Sequence, residues 1–257
     1  MTVAARFEIE YLQYLKPDGT LAAALPPAVA NAEALLPLFK RMLFVRTFDS
    51  KAIALQRTGK LGTYAACLGH EATHVGIGAS MQPDDVFAPS YREYGAQFER
   101  GVKPRDVLMY WGGDERGNDF EIPRNDYPWC VPISTQCLMA SGAALSFKLR
   151  GENRVAVATC GDGGSSKTDF YAAVNSAGAF TLPLVLCVIN NGWAISVPRK
   201  AQTGADTLAQ KGLAGGLHCL QVDGNDLVAV LEAMRRAHER ARSGQGGSVI
   251  EFMTYRL

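Results

Sequence analysis

The residues of this chain best able to build a reactive centre are Gly161-Asp162-Gly163 and Asn190-Asn191. Residues 164–189 separate them, and each group follows an apolar run, VAVATC at 155–160 and LPLVLCVI at 182–189. Both runs read as buried strands. If the two strands are neighbours, both turns open on one sheet edge. Asp162 then offers a carboxylate and Asn191 an amide oxygen. An all-oxygen site with so few carboxylates suits Mg²⁺ held largely through phosphate oxygens. The glycines let the backbone approach a diphosphate, and a helix expected at 168–180 aims its N-terminus there. A Gly-rich turn alone is an ordinary strand end. Both turns together, at this spacing, favour a cofactor site.

Two other patterns point elsewhere. His70-Glu71-Ala72-Thr73-His74 is a literal H-E-x-x-H, which on a helix puts two imidazoles on one face as in zinc peptidases. The longer form of that motif needs glycine at position 77 and histidine at position 80, where Ile77 and Ser80 stand. Glu93 is a third ligand by sequence distance alone, so the zinc reading is a distant alternative. VAVATCGDGG also resembles the start of a dinucleotide-binding unit. There Ser166 replaces the third glycine, and the next strand ends in Asn-Asn rather than in the acid that holds a ribose.

The elements that must position these residues follow from periodicity. FEIEYLQYL reads as extended, with a turn at Pro17-Asp18-Gly19, and residues 1–30 read as an arm closed by Pro26-Pro27. Leu35, Leu38, Met42 and Val45 mark a helix from Asn31 to about Arg57, broken at Thr58-Gly59. A helix over 70–82 ends at Pro83, VFAP is a short strand, and SYREYG follows it. Residues 110–131 read as a surface loop, and 136–150 as a helix. Beyond the two strands already named come a strand at 217–222, an amphipathic helix at 226–242 and a final strand at 248–257. In that last helix Leu227, Leu231 and Met234 face inward and His238 outward. Continuous apolar strands alternating with helices specify an α/β fold, a parallel sheet covered on both faces. The expected division is an arm, 1–30, and one α/β domain, 31–257. Parallel sheets gather their functional loops at the C-terminal strand ends. A chain that stops at Leu257, at such an end, is therefore expected to lack the C-terminal part of its natural sequence.

A net charge of +1, from 26 basic and 25 acidic residues, gives no pull toward nucleic acid or an anionic membrane. No stretch of ~20 apolar residues could span a bilayer. The six cysteines form no C-x-x-C pair and mostly sit in apolar runs, as reduced core residues of a cytoplasmic protein would.

GDGGSSKTDFYAAVNSAGAFTLPLVLCVINN resembles the thiamine-diphosphate fingerprint of the alpha subunits of 2-oxo acid dehydrogenases, the decarboxylating components of those complexes. RTFDSKAIALQRTGKLGTYAACLGHEATHVGIGASMQPDDVFAPSYREYG resembles the family's N-terminal helices and its Tyr-Arg segment. The arm FEIEYLQYLKPDGT and the stretch from WAISVPRK to QVDG are similar to pyruvate dehydrogenase alpha chains. The likeness spans residues 8 to 256. It implies a thiamine-diphosphate fold, with oxidative decarboxylation of pyruvate and acyl transfer to a lipoyl group. Branched-chain 2-oxo acids are the alternative substrate. The implied partners are a beta subunit, in an α₂β₂ heterotetramer, and a dihydrolipoyl acyltransferase core.

The same resemblance implies roles for individual residues. Asp162, Asn191 and the Trp193 carbonyl match the Mg²⁺ ligands, and Gly163 and Gly164 match backbone contacts to the cofactor. Tyr91 and Arg92 match the pair holding the diphosphate; read without the family, Arg92 is a surface ion-pair partner of Glu93 or Glu99. Val131 and Ile133 match the loop beneath the aminopyrimidine ring, where a bulky apolar side chain keeps thiamine bent; read alone, Ile133 is a core residue. The family's catalytic histidine follows the stretch matching TYRL, so no catalytic residue of its own is expected in this chain. His70 and His74 on an early helix, His218 at a strand start and His238 on an outer face offer no substitute. The glutamate that activates the aminopyrimidine comes, by the same resemblance, from the beta subunit.

Overall fold

The computed structural model describes residues 2–29 and 31–256. Six strands form one sheet in the order β1-β7-β8-β4-β3-β2. They are β1 (Glu10–Leu12), β2 (Val86–Ala88), β3 (Ala156–Gly161), β4 (Leu184–Asn190), β7 (His218–Asp223) and β8 (Ser248–Met253). Every neighbouring pair is parallel. The helices are α1 (Ala32–Arg57), α2 (Glu71–Ala79), α3 (Tyr94–Arg100), α4 (Pro104–Trp111), α5 (Thr135–Arg150), α6 (Thr168–Ala179), α7 (Arg199–Gln202) and α8 (Leu227–Arg242). A two-strand ribbon, β5 (Trp193–Ala194) and β6 (Val197–Pro198), lies outside the main sheet.

Side-chain alternation along the strands sorts the core into two layers. Ala156, Ala158, Cys160, Leu184, Leu186 and Val188 pack under α5 and α6. Val157, Val185, Cys187, Ile250 and Phe252 face the opposite way, against Ala229, Ala233 and Met234 of α8. A third cluster joins α1, α3 and α4 around Tyr94, Phe98 and Val107. The expected pairing of the two principal strands holds, with Gly161 opposite Ile189 in parallel register. Their C-terminal ends therefore open side by side.

The extended segment of the arm supplies the sheet's edge strand, Glu10–Leu12, paired with β7. Asp226 ties the arm further: one carboxylate oxygen accepts the N–H groups of Tyr14 and Leu15, while the other caps α8. Several other expectations need correction. The segment after VFAP holds α3 and α4, and Tyr110 and Trp111 belong to α4 rather than to a loop. The last strand ends at Met253; the expected terminus at Leu257 lies outside the described residues, as do Met1 and Ala30. His238 is buried, not outward, on the face of α8 nearest Asp85 and Arg242. No helix among the described residues is long and apolar enough to cross a membrane. All six cysteines are free, and Cys130 is the one not buried.

Candidate functional site

β3 delivers Asp162 at its end, and a short 3-10 turn, Gly163–Ser166, carries the chain into α6. β4 delivers Asn190 and Asn191, which behave differently. Asn190 is buried and donates to Glu251 at 2.6 Å, so it anchors the strand end. Asn191 faces the open side. Its N–H donates to Asp162 Oδ1 at 3.0 Å, and its Oδ1 accepts from Trp193 N–H at 3.2 Å. Gly192 takes a positive φ of 84°, which lets the chain reverse between Asn191 and the β5–β6 ribbon.

A cavity of about 470 Å³ opens at these strand ends. Tyr91, Arg92, Ile133, Gly163, Gly164 and Asn191 all line it. Asp162 lies just beneath, 1% exposed, and its Oδ2 has no hydrogen-bond partner. Burial pushes this carboxyl up to about 6, against the pull of surrounding amide N–H groups led by that of Asn191. A cation at Oδ2 would supply the missing partner and restore the charge. Val131 and Trp193 are not in the wall. Both are half exposed, and their neighbours Pro132 and Ala194 are the lining residues.

Neither glycine of the turn could be another residue without displacing something. A Cβ on Gly163 would stand 2.8 Å from the Ala194 Cβ, and one on Gly164 would stand 2.7 Å from Ser134 Oγ. Ser134 is itself fully buried at a φ of 69° and donates to the Gly164 carbonyl at 2.6 Å. The loop before α5 and the Gly-rich turn are thus one packed unit. Gln136 adds a bond to the Thr159 carbonyl, and Thr135 one to Asp169.

Arg92 has no carboxylate partner among the described residues; Glu99 is taken by Arg41. Its guanidinium sits over the Tyr91 ring and donates to the Ala66 carbonyl. A fork-shaped cation without a counter-charge, at a cavity wall, suits an anionic ligand. Beside it Glu93 is buried, accepts from Ser90, and has its pKa raised by burial. Ile133 is 40% exposed at the cavity wall, so it is not a core residue.

His70 was not expected here. It is the residue just before α2, not within it, and it lines the cavity with Nε2 3.4 Å from the Asn191 amide nitrogen. Burial, with Arg92 and Arg256 nearby, lowers its pKa to about 3, so it is neutral. Its place at the helix start was the available signal, obscured by the spacing to His74. Glu71 is committed to Arg46 and to the Gly69 N–H. No cluster of three metal-ligating side chains occurs among the described residues, which leaves the H-E-x-x-H pattern without a zinc site.

The family model of the dehydrogenase E1 component matches residues 39–257. The chain belongs to that family. Among similar E1 proteins, the pyruvate dehydrogenase E1 component subunit alpha of Acholeplasma laidlawii is 41% identical over 225 residues, 88% of this chain and 65% of its own. The protein of the same name from Staphylococcus aureus (strain Mu50) is 38% identical over 250 residues, 97% of this chain and 67% of its own. That of Staphylococcus epidermidis (strain ATCC 12228) gives the same figures. The chain thus spans about two thirds of the length of these E1 relatives.

Proposed function

We propose that this chain supplies the alpha-subunit half of a thiamine-diphosphate site for the oxidative decarboxylation of pyruvate. One observation carries the reading. A buried carboxylate oxygen without a partner, on Asp162, sits beside Asn191 beneath a glycine turn and an uncompensated arginine. The E1 family's dependence on thiamine diphosphate supports it, as do the names of the relatives.

The residues fit the cofactor. Asp162 and Asn191 would hold Mg²⁺ through side-chain oxygens, with the Trp193 carbonyl as a third protein ligand, beside the diphosphate oxygens that Mg²⁺ favours. Tyr91, Arg92, Gly163 and Gly164 would receive the diphosphate, and the N-terminus of α6 would favour its charge. Ile133, exposed in the wall, would support the thiamine from one side, with Val131 at the margin. When bound, thiamine diphosphate supplies the electron sink that lets a 2-oxo acid lose CO₂. The chain's own part is to anchor, orient and exclude water. No side chain of this chain is assigned a catalytic role.

The exposed apolar residues of the cavity wall, Ile133 and Ile195, suit a second wall from a beta subunit in an α₂β₂ heterotetramer. A dihydrolipoyl acyltransferase would then accept the acyl group. The free cysteines fit a cytoplasmic setting. The test is CO₂ release from pyruvate and from 3-methyl-2-oxobutanoate, with the chain assembled with its beta partner. Faster turnover of pyruvate is expected. Preference for the branched acid would reassign the substrate, and release from neither would overturn the reading.

A further inference from the structure

Lys211 is 6% exposed, in a 3-10 segment, Ala209–Gly215, that precedes β7. Its ammonium donates to the Ser165 carbonyl at 3.0 Å, Ser165 Oγ at 2.8 Å and Ser166 Oγ at 3.0 Å. All three acceptors are neutral, and no carboxylate lies within ion-pair distance of it among the described residues. Asp162 and Glu251 act on it only at longer range, and burial lowers its pKa. A buried ammonium without a counter-ion is costly, so its retention calls for a compensating charge.

The three acceptors belong to the Gly-rich turn. Ser165 Oγ passes the contact on, donating to the Asp162 carbonyl at 2.7 Å. The Gly164 carbonyl is engaged by Ser134 from the α5 side. The carbonyls of Asp162, Gly164 and Ser165 are therefore all bonded within the protein. Gly163 and Gly164 line the cavity, and the unbonded amides that open every α-helix follow at α6. The cavity wall carries two cations without an ion-pair partner among the described residues, Arg92 and Lys167, while Lys211 lies behind the turn.

We propose that Lys211 is a positioning residue of the anion site: it fixes the carbonyl side of the Gly163–Ser166 turn and places a buried positive charge behind it, so that the turn receives a diphosphate. This rests on the cofactor reading above and deepens it. Lys211 touches no ligand. Its effect runs through the turn and through charge, and should therefore grow with the charge of the ligand's phosphate tail.

The experiment uses the chain assembled with its beta subunit. Lys211→Gln keeps a hydrogen-bond donor and removes the charge; Lys211→Arg keeps the charge. Calorimetry with thiamine, thiamine monophosphate, thiamine diphosphate and inorganic pyrophosphate, each with Mg²⁺, reads the affinities. Lys211→Gln should weaken thiamine diphosphate and pyrophosphate by about 10-fold or more, as for loss of a conserved outer-shell partner. The monophosphate should lose less, thiamine least, and Lys211→Arg should recover most of the loss. Should Lys211→Gln not assemble, Lys211→Met asks the same question. An equal loss across all the ligands would mean a structural role only, and no loss for either neutral variant would sink the proposal. Wild-type protein that binds neither pyrophosphate nor thiamine diphosphate would instead sink the cofactor reading.

Discussion

The Asn191 N–H donates to Oδ1 of Asp162 at 3.0 Å, across the ends of two adjacent parallel strands, and leaves Oδ2 buried with nothing to bind. The bond fixes the carboxylate's orientation, so the free oxygen and the Asn191 amide belong to one site. Asp162→Ala or Asn191→Ala should each weaken Mg²⁺-dependent thiamine diphosphate binding by more than about 100-fold, since Mg²⁺ tolerates few lost ligands. Calorimetry on the reconstituted assembly reads this directly. Unchanged affinity in either variant would place the metal elsewhere.

Arg92 is tested by the shape of its replacement. Arg92→Ala should lower diphosphate affinity by about 100-fold, while Arg92→Lys recovers part of it, because lysine keeps the charge without the fork. Pyrophosphate competition measures both. An alanine variant that binds like wild type would make Arg92 a partner of the Ala66 carbonyl and nothing more.

Gly164 makes a sharper steric test. Its missing Cβ leaves room for Ser134 Oγ and the Cys160 Cβ, which a methyl would meet at 2.7 and 2.9 Å. Gly164→Ala should cost about 1–3 kcal/mol by overpacking. It should also weaken cofactor binding, since the turn must shift. Ser134→Gly, which removes the clashing hydroxyl, should restore part of the binding in the double variant. Additive losses would show that the two positions are not coupled.

The site was legible in the sequence where chemistry and spacing coincide. Asp162 and Asn191 each end an apolar strand run, and the adjacency on which the site depended is supplied by the pairing of β3 with β4. Other parts gave weaker signals. Tyr94, Gly95, Ala96, Gln97 and Phe98 of α3 are all buried, so no polar face marks it as a helix. β1 is an edge strand whose identity depends on β7, more than 200 residues later, and no local pattern records that pairing. His238 looked solvent-facing because it sits among charged residues on an amphipathic helix; the pair of buried Asp85 with partly buried Arg242 makes that environment polar. Lys211 gave no signal at all, since a lysine in AQKG reads as surface.

His238 carries the last prediction. It is 6% exposed, and its Nε2 lacks a partner. Burial lowers its pKa from 6.5 to about 4; Asp85 pulls it back up, while Arg242 and Arg100 push it down further. Above pH 6.5 the imidazole is neutral in both folded and unfolded chains, and pH has no leverage through it. Between pH 6.5 and about 4 the unfolded chain binds the proton and the folded chain does not, so stability falls as pH falls. The loss saturates near about 3 kcal/mol, from roughly 2.5 pK units at 1.36 kcal/mol each. His238→Gln has no such proton to take up. Denaturant unfolding from pH 7 to pH 4 should therefore show wild type losing more stability than the variant, by an amount approaching that figure. The two should also differ most steeply near pH 5. Parallel stability curves would mean that His238 ionises as freely in the fold as outside it, and that the polar pocket beside Asp85 is open to water.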